Sequence, residues 1–373
     1  MKKINLFLLF IFLLSINGKT QTTIIDSIMH DGIWRNYRVY IPAMYTGSSA
    51  VPLVLNLHGY TSNAIEQEFY GDMRPIADTA NFIIVHPNGT GPSTAQFWNA
   101  YTTGSPDDIG FLEALIDTLS LQFNVNANRI YSCGMSNGGI MSYYLACNLN
   151  YKLAAIGSVT GSMTPGMLAS CIPPDNMPVI EIHGTADGTV PYTGGTTFEP
   201  IDSIIDFWAS YNNCTMTPLV IPYPNISSTD GCTATEYAYL NGTDGAEVVL
   251  VKITGGGHTW PDAPVTIGVT NRDFSASIRL WQFFMKFDKS QFVGINEFDE
   301  RYEKLIVFPN PSLNSISIIS NVDVTEFKLL DLSGKILVTQ KLNSTKFELD
   351  ISSLSQGIYF ISSPFETVRF IKQ

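Results

Sequence analysis

Residues 129–138 read RIYSCGMSNG, an apolar run followed by Gly134-Met135-Ser136-Asn137-Gly138. The β-branched and aromatic run predicts a strand, and the residues that follow are typical of a helix. A sharp strand-to-helix turn needs glycine on both sides of the serine, because the serine backbone is strained and the helix packs closely on the strand. Such a turn presents the serine hydroxyl above the sheet, so we predict that Ser136 is a nucleophile. The alternative is an ordinary glycine turn.

A serine nucleophile needs an imidazole base, and the chain has five histidines. In enzymes built on this turn the three residues follow in the order serine, acid, histidine. Three histidines precede Ser136, and His183 ends an apolar strand, where we expect a structural role. His258 lies in the glycine-rich loop 255–261, after the strand-like 247–253, and is the predicted base. The alternative is a solvated loop histidine.

The acid should follow a strand between the serine and the base. Asp187 comes soon after the buried-looking strand 177–182, and we predict that it is the acid. A carboxylate there would fix the imidazole tautomer and stabilise the imidazolium that forms during attack. The alternative is an aspartate that makes an Asx-turn. Other aspartates in the interval are Asp175, Asp202, Asp206, Asp230 and Asp244.

Hydrogen-bond donors for an oxyanion should lie beside the serine. The apolar strand 51–57 runs into His58-Gly59-Tyr60. The loop after this strand supplies one N–H group in such sites, and the residue after the nucleophile supplies the other. We therefore predict the backbone N–H groups of Tyr60 and Asn137 as donors. His58 is expected to buttress the turn.

Aromatic side chains in the loops near these residues are possible substrate contacts. They could stack on an aromatic acyl group or a sugar ring, or they could pack in the core. The predicted substrate-binding residues are Trp98, Tyr192 and Trp260, and Tyr60 lies in a loop of the same kind. No long insertion separates the core elements, which favours an open cleft.

Charge and composition narrow the choice of partners. The formal net charge is -12 and the lysines and arginines form no cluster, so nucleic acid and anionic membranes are poor partners. Residues 1–17 carry two lysines, a short apolar run and then small and polar residues. This pattern predicts a signal peptide over 1–20, because the run is too short to span a bilayer. We expect no membrane span, no metal and no cofactor.

Five cysteines in an exported chain predict disulfides with one thiol left over. Cys133 lies on the strand before the turn and is expected to be a buried free thiol. Pairing Cys147 with Cys171, and Cys214 with Cys232, would close two short local loops. Spacing alone leaves other pairings open.

Strands and helices alternate over 22–289, which predicts an α/β fold with a mostly parallel sheet and helices on both faces. An opening hairpin at 23–29 and 34–41 would supply an antiparallel edge. A linker is predicted at 290–303. After it the pattern changes to short strand-like runs, which predict a small, sandwich-like all-β domain at 304–373. Helices of the first domain are predicted at 65–80, 108–123, 137–148, 201–211 and 272–287.

Five blocks of sequence occur together in the first domain. They are LHGY at 57–60, DDIGF at 107–111, GMSNGG at 134–139, HGTAD at 183–187 and GGHTWP at 256–261. In this order they resemble the secreted α/β-hydrolases of the polyhydroxybutyrate depolymerase and feruloyl or acetylxylan esterase family. The resemblance covers nearly all of 22–289 and implies Ser136, Asp187 and His258 as a catalytic triad, with a disulfide pattern like the one above. Asp107 and Asp108 match the family's acidic pair, which we expect to cap the next helix.

The tail carries four runs of its own: VFPNP at 307–311, LSGK at 332–335, LSQGIYF at 354–360 and RFIKQ at 369–373. It resembles the type A C-terminal sorting domain of type IX secretion. The resemblance implies the type IX secretion machinery as a partner and delivery to the cell surface or the medium. The alternative is a carbohydrate-binding module, against which the tail's lack of tryptophan counts.

The favoured function is hydrolysis of a carboxylic ester, feruloyl or acetyl, carried on plant polysaccharide. Polyhydroxybutyrate depolymerisation would use the same triad and is the alternative. A serine peptidase of related fold and a non-catalytic binding protein are two further classes. The intact set of serine, aspartate and histidine counts against the binding protein.

Overall fold

The computed structural model describes residues 20–93, 95–100, 104, 106–292, 305–332, 334–363 and 367–373. The predicted signal peptide at 1–20 and the predicted linker at 290–303 lie largely outside these residues and stay predictions. Among the described residues, no helix has the length and apolar character that crossing a bilayer requires.

The first domain is built on one mixed sheet. Its strands within the described ranges are β1 (Thr22–His30), β2 (Ile33–Ile41), β3 (Val51–Leu57), β4 (Ile83–Pro87), β5 (Val125–Met135), β6 (Ala155–Val159), β7 (Val179–Gly184), β8 (Leu219–Pro222), β9 (Thr233–Tyr239) and β10 (Val248–Thr254). Their order across the sheet is β1-β2-β4-β3-β5-β6-β7-β10-β9-β8. The six strands from β4 to β10 in this order are parallel, which confirms the predicted α/β class.

Both edges of the sheet are antiparallel. The hairpin of β1 and β2 forms one edge, as predicted. The other edge is formed by β8 and β9, which the sequence patterns did not reveal. The central strands are buried on both faces: every residue of β3 is buried. Such continuous apolar runs are typical of parallel strands covered by helices on both sides.

Helices cover both faces of the sheet. They are α1 (Ala64–Tyr70), α2 (Arg74–Ala80), α3 (Asp108–Gln122), α4 (Asn137–Asn148), α5 (Pro165–Ser170), α6 (Ile201–Tyr211) and α7 (Ala276–Phe284). Buried residues of α3, α4 and α6 share one core cluster, and those of α2 and α7 share the cluster on the opposite face. Fully burying a leucine or phenylalanine side chain contributes about 1.5–3 kcal/mol, so these two clusters dominate the stability of the domain.

The single helix predicted at 65–80 is wrong, because the chain forms α1 and α2 there. The first helix ends at Gly71, whose N–H donates to the carbonyl of Gln67. Pro75 lies in the first turn of the second helix, a position that proline favours because it lacks an N–H group. A Cβ on Gly71 would lie 3.1 Å from the indole ring of Trp260, so the break also admits that side chain.

The second domain is an antiparallel all-β unit, as predicted. Its strands within the described residues are β11 (Leu305–Phe308), β12 (Ser315–Asp331), β13 (Ile336–Asp350), β14 (Gly357–Ser362) and β15 (Thr367–Lys372). The halves of β12 pair with β11 and β14 respectively, with register shifts against β13 after Ile319. The unit has its own apolar core, which includes Phe327 and Phe370.

Candidate active site

Four loops meet at the carboxyl edge of the parallel strands, where ligands bind in open α/β sheets. Tyr60 follows β3, Ser136 follows β5, Asp187 follows β7 and His258 follows β10. In the sheet these strands lie in the order β3-β5-β6-β7-β10. The fold therefore gathers at one edge the residues predicted from the sequence as nucleophile, acid, base and oxyanion donor.

Ser136 sits in a strained turn between β5 and α4. Its backbone has φ 53° and ψ -117°, a conformation that a residue with a side chain rarely adopts. Its N–H donates to the carbonyl of Val159 at 2.8 Å. A Cβ on Gly134 would lie 2.6 Å from the carbonyl oxygen of Leu57, and one on Gly138 would lie 2.2 Å from it. Glycine is therefore required on both sides of the serine, as the sequence predicted.

Asp187 holds the imidazole of His258. Its Oδ2 lies 2.7 Å from Nδ1 of His258, and its Oδ1 accepts the N–H groups of Thr189 and Val190 at 2.8 Å each. Burial acts to raise the pKa of Asp187, but the hydrogen bond and charge of His258 outweigh burial and leave that pKa below its ordinary value. The aspartate is therefore a buried, oriented carboxylate.

The loop that carries His258 is anchored on both sides of the histidine. The N–H of Gly257 donates to the carbonyl of Val269 at 2.9 Å, and the indole N–H of Trp260 donates to Ser277 at 3.2 Å. The His258 side chain is 19% exposed, whereas that of Asp187 is fully buried. Since the carboxylate accepts at Nδ1, Nε2 is the ring atom left to accept a proton from a nucleophile.

The loop after β3 runs beside the serine. A Cβ on Gly59 would lie 3.6 Å from the Cβ of Ser136, so the next residue, Tyr60, starts next to the nucleophile. His58 buttresses this loop: Gly89 N–H donates to its Nε2 at 2.9 Å, and its Nδ1 therefore carries the proton toward Gly59 O at 2.8 Å. Burial lowers the pKa of His58 to about 4. It is a neutral structural imidazole, as predicted.

The three aromatic side chains predicted to contact substrate are buried, and that prediction is wrong. Trp98 is 0% exposed, Tyr192 6% and Trp260 1%. Each has a polar partner inside the protein, for example the carbonyl of His58 for the indole of Trp98. Sequence placed them in loops near the site but could not show that the loops fold inward. Of the four aromatic residues that the sequence placed in these loops, Tyr60 is the exposed one, at 66%.

The cysteines agree with the sequence in part. Cys147 and Cys171 form the predicted disulfide between the ends of α4 and α5, and Cys133 is a buried thiol. The predicted Cys214–Cys232 bond is wrong, since both are buried free thiols.

Strand β9 explains why this second bond cannot form. Cys232 directly precedes β9, whereas Cys214 lies at its other end, where Thr215 N–H donates to the carbonyl of Leu240 at 2.7 Å. Seven strand residues span about 23 Å, and a disulfide tolerates a Cα separation of at most about 7 Å. The two thiols also pack in different core clusters.

The acidic pair at the start of α3 is structural, as expected. The Asp107 side chain caps α3 by accepting the N–H of Gly110, and the buried Asp108 pairs with Arg35 at 2.6 Å. Within the described part of the chain, one group of side chains has ligand atoms close enough together to hold a metal ion. It consists of His30, Asp31 and Asp107. Nε2 of His30 lies 3.1 Å from Oδ2 of Asp107, which is a hydrogen-bond distance. We therefore interpret this group as part of the cap of α3.

Three polar residues of the site were not predicted from the sequence as functional. Tyr143, Glu181 and His183 are all fully buried behind Asp187. A signal was present: Glu181 and His183 lie two apart on β7, so they project to the same face of an otherwise apolar strand. The sequence pattern alone predicts for His183 a structural role at a strand end.

Comparison with known proteins agrees with the fold. Residues 99–220 match the family described as Phospholipase/Carboxylesterase, and residues 306–372 match the Secretion system C-terminal sorting domain. The chain has the α/β-hydrolase fold, and its residues 99–220 are similar to that carboxylesterase family. It is an esterase, and its type IX sorting domain assigns it to the cell surface or the surrounding medium.

The individual relatives are distant in sequence. The esterase is 28% identical over 240 residues to feruloyl esterase B of Piromyces equi, covering 61% of this chain and 43% of that protein. It is 26% identical over 286 residues to feruloyl esterase D of Neurospora crassa, covering 73% and 87%. Among solved structures, the acetyl xylan esterase from Aspergillus awamori aligns with TM-score 0.51 and 13% identity, covering 71% and 99%. That last similarity is one of fold.

Proposed function

We propose that the esterase cleaves its substrate through a covalent acyl-enzyme made by Ser136, His258 and Asp187. The Ser136 hydroxyl attacks the ester carbonyl while Nε2 of His258 takes its proton. The imidazolium then gives this proton to the leaving alcohol. Water, deprotonated by the same imidazole, hydrolyses the acyl-enzyme and restores Ser136. The observation that carries this proposal is the strained Ser136 turn on the same sheet edge as the 2.7 Å contact between Asp187 and His258.

The proposed oxyanion donors are the backbone N–H groups of Tyr60 and Asn137. Two features support them. Asn137 is the first residue of α4, and the N–H groups of a first helical turn point out of the helix end. Gly59 places the start of Tyr60 beside the Ser136 side chain. Each donor of this kind contributes about 2.7–4 kcal/mol to transition-state stabilisation.

The proposed substrate is a feruloyl or acetyl ester on plant polysaccharide. Two relatives named feruloyl esterases support this choice, and a sorting domain suits an enzyme that meets insoluble polymers outside the cell. The exposed ring of Tyr60, 6.2 Å from the ring of Phe97, offers an aromatic face beside the serine. A feruloyl ring could stack on it, whereas an acetyl group has no ring.

A comparison of three substrate classes tests this proposal. We expect turnover of methyl ferulate or acetylated xylan to exceed that of polyhydroxybutyrate films. Tyr60→Ala should lower kcat/KM on the feruloyl ester by about tenfold, with a change of less than about twofold on the acetyl ester. The control is Tyr60→Phe, which keeps the ring and should stay close to the wild type. Equal losses on both esters, or preference for the hydroxybutyrate polymer, would contradict the substrate assignment.

We infer a catalytic domain over 22–289 and a sorting domain over 304–373, joined by a linker, with the type IX secretion machinery as the partner of the second. Each described domain has its own apolar core, which supports this division. A chain that ends at Phe292 should hydrolyse esters normally in a foreign host but fail to reach the cell surface in the native one.

A further inference from the structure

A chain of buried polar contacts runs from the helix of the nucleophile to the acid. The hydroxyl of Tyr143, on α4, donates to Oε2 of Glu181 at 2.9 Å. The other oxygen of Glu181 lies 2.8 Å from Nδ1 of His183. Nε2 of His183 lies 2.9 Å from the carbonyl oxygen of Val190 and 3.4 Å from Oδ2 of Asp187.

The protonation of His183 follows from these partners. The Val190 carbonyl can only accept, so Nε2 of His183 must carry a proton and donate. Burial acts to lower the pKa of His183, but the hydrogen bond and charge of Glu181 outweigh burial and raise that pKa. Wherever the proton between Glu181 and His183 resides, the pair has no net charge. An N–H group therefore always faces Val190 and Asp187.

Val190 is fixed from both sides by this arrangement. Its carbonyl accepts from His183, and its N–H donates to Oδ1 of Asp187. The same His183 N–H approaches Oδ2 of Asp187, the oxygen that contacts His258. The titratable groups that face His183 are Glu181, Asp187 and, by its ring edge at 6.0 Å, Tyr192. The Nε2–H group of His183 therefore acts on the carboxylate of Asp187 in two ways, through Val190 and directly.

Stability alone does not account for such a pair. A buried acid–histidine pair is often no more stabilising than apolar residues of the same shape. Yet Glu181 and His183 are 0% exposed and lie on β7, before the loop that carries Asp187. Glu181 contacts His183, and His183 contacts Asp187, so the polar atoms of the pair are linked to the acid.

We propose that His183, held by Glu181 and Tyr143, is a positioning residue that orients the Asp187 carboxylate toward His258. This inference rests on the proposed triad. His183 touches no reacting atom and acts through Asp187. Removing its Nε2 donor should let the loop at Val190 relax, so that the carboxylate no longer holds the imidazole in the orientation that attack requires. Misplacement by about 1 Å can lower a rate by about 100-fold.

Two isosteric variants separate the nitrogens of His183. In His183→Gln the amide can occupy the position of Nε2 and still donate to Val190, whereas in His183→Asn it reaches only the position of Nδ1. We expect His183→Asn to lose about 100-fold in kcat with KM changed less than about twofold. His183→Gln should lose less than about tenfold. Equal kcat values for the two variants, or losses carried by KM, would overturn the proposal.

A double-mutant cycle tests whether His183 acts through Asp187. Asp187→Asn alone should lower kcat by orders of magnitude; if it does not, the proposed triad fails. In the residual activity of Asp187→Asn, adding His183→Asn should cause no further loss, because the carboxylate that His183 orients is gone. A further loss equal to that of the single variant would overturn the positioning role and leave the triad standing.

Tyr143→Phe covers the case in which His183→Asn fails to fold. It removes one hydroxyl from the far end of the contact chain without changing the shape of the ring. We expect a loss of about threefold to tenfold in kcat at unchanged KM, again absent in the Asp187→Asn background. A Tyr143→Phe variant with wild-type kcat would contradict the proposal.

Discussion

Oδ2 of Asp187 lies 2.7 Å from Nδ1 of His258, although the two residues are 71 positions apart in the chain. The contact joins the loops after β7 and β10, which are neighbouring parallel strands. The sheet therefore brings an acid and an imidazole together on the edge where the β5 turn presents Ser136. This relationship underlies the proposed mechanism and most of the tests below.

The strain at Ser136 separates activity from stability. Ser136→Ala and Ser136→Gly both lack the hydroxyl, so both should be inactive on a chromogenic short-chain ester. Only glycine adopts φ 53° without strain. The free energy gained by relieving this strain exceeds the entropy that glycine adds to the unfolded chain. Ser136→Gly should therefore have a free energy of unfolding about 1 kcal/mol above that of Ser136→Ala. Urea titration measures the difference, and a less stable glycine variant would show that the turn is not strained.

Glycine at position 138 should be irreplaceable. A Cβ there would lie 2.2 Å from the carbonyl oxygen of Leu57 and 2.7 Å from that of His58, and neither backbone can move freely. Gly138→Ala should lower the free energy of unfolding by about 3 kcal/mol or more. The matched control is Gly166→Ala in α5, where a Cβ meets nothing within 4 Å and alanine should be neutral or stabilising. Thermal melting of both variants compares them directly, and similar midpoints would refute the close approach.

Three of the five cysteines should be unreactive thiols in the folded protein. Burial raises the pKa of Cys214 and of Cys232 to about 11, and raises that of Cys133 further. Alkylation at pH 8 should therefore be slow in the native protein, reach three labels after denaturation and five after reduction. Replacing the Cys147–Cys171 bond by serines should cost about 3 kcal/mol, given its sequence separation of 24. Peptide mapping that finds Cys214 bridged to Cys232 would contradict the structure.

Two buried histidines should make the catalytic domain sensitive to acid. Burial lowers the pKa of His58 and of His86 from 6.5 to about 4. The unfolded chain therefore takes up these protons first, so the stability they contribute is complete above pH 6.5 and is lost as pH falls toward 4. Each contributes about 3 kcal/mol to this loss. His86→Gln should lose less stability than the wild type between pH 7.5 and 4.5, by about 2–3 kcal/mol, as urea titrations at both pH values would measure. Equal losses would contradict this account.

Much of the site could be predicted from the sequence, because it depends on residues that are close in the chain or at neighbouring strand ends. The glycines around Ser136 are required by contacts within a few residues of the turn and by one neighbouring strand. Asp187 and His258 could be chosen because strand ends in a parallel sheet meet at one edge. The α/β class and the opening hairpin could be predicted from the periodicity of apolar residues, which is also a local signal.

The errors come from tertiary packing. Whether Trp98 and Trp260 face solvent depends on how distant loops fold over them, and sequence spacing carries no such information. Cys214 and Cys232 are close in sequence, but in space they lie at opposite ends of the extended strand β9. The break between α1 and α2 has local signals in Gly71 and Pro75, but the indole that it admits, that of Trp260, lies about 190 residues away. The positioning role proposed for His183 rests on its distance to Asp187, which the sequence does not contain.

Covalent labelling with a serine-reactive fluorophosphonate, followed by peptide mapping, tests the central claim most directly. The reagent needs an activated serine, so it reports the joint action of Ser136, His258 and Asp187. The account predicts one adduct, on Ser136, which is absent in Ser136→Ala and forms at least about 100-fold more slowly in Asp187→Asn. An adduct on another serine, or labelling of Ser136 at an undiminished rate in Asp187→Asn, would contradict it.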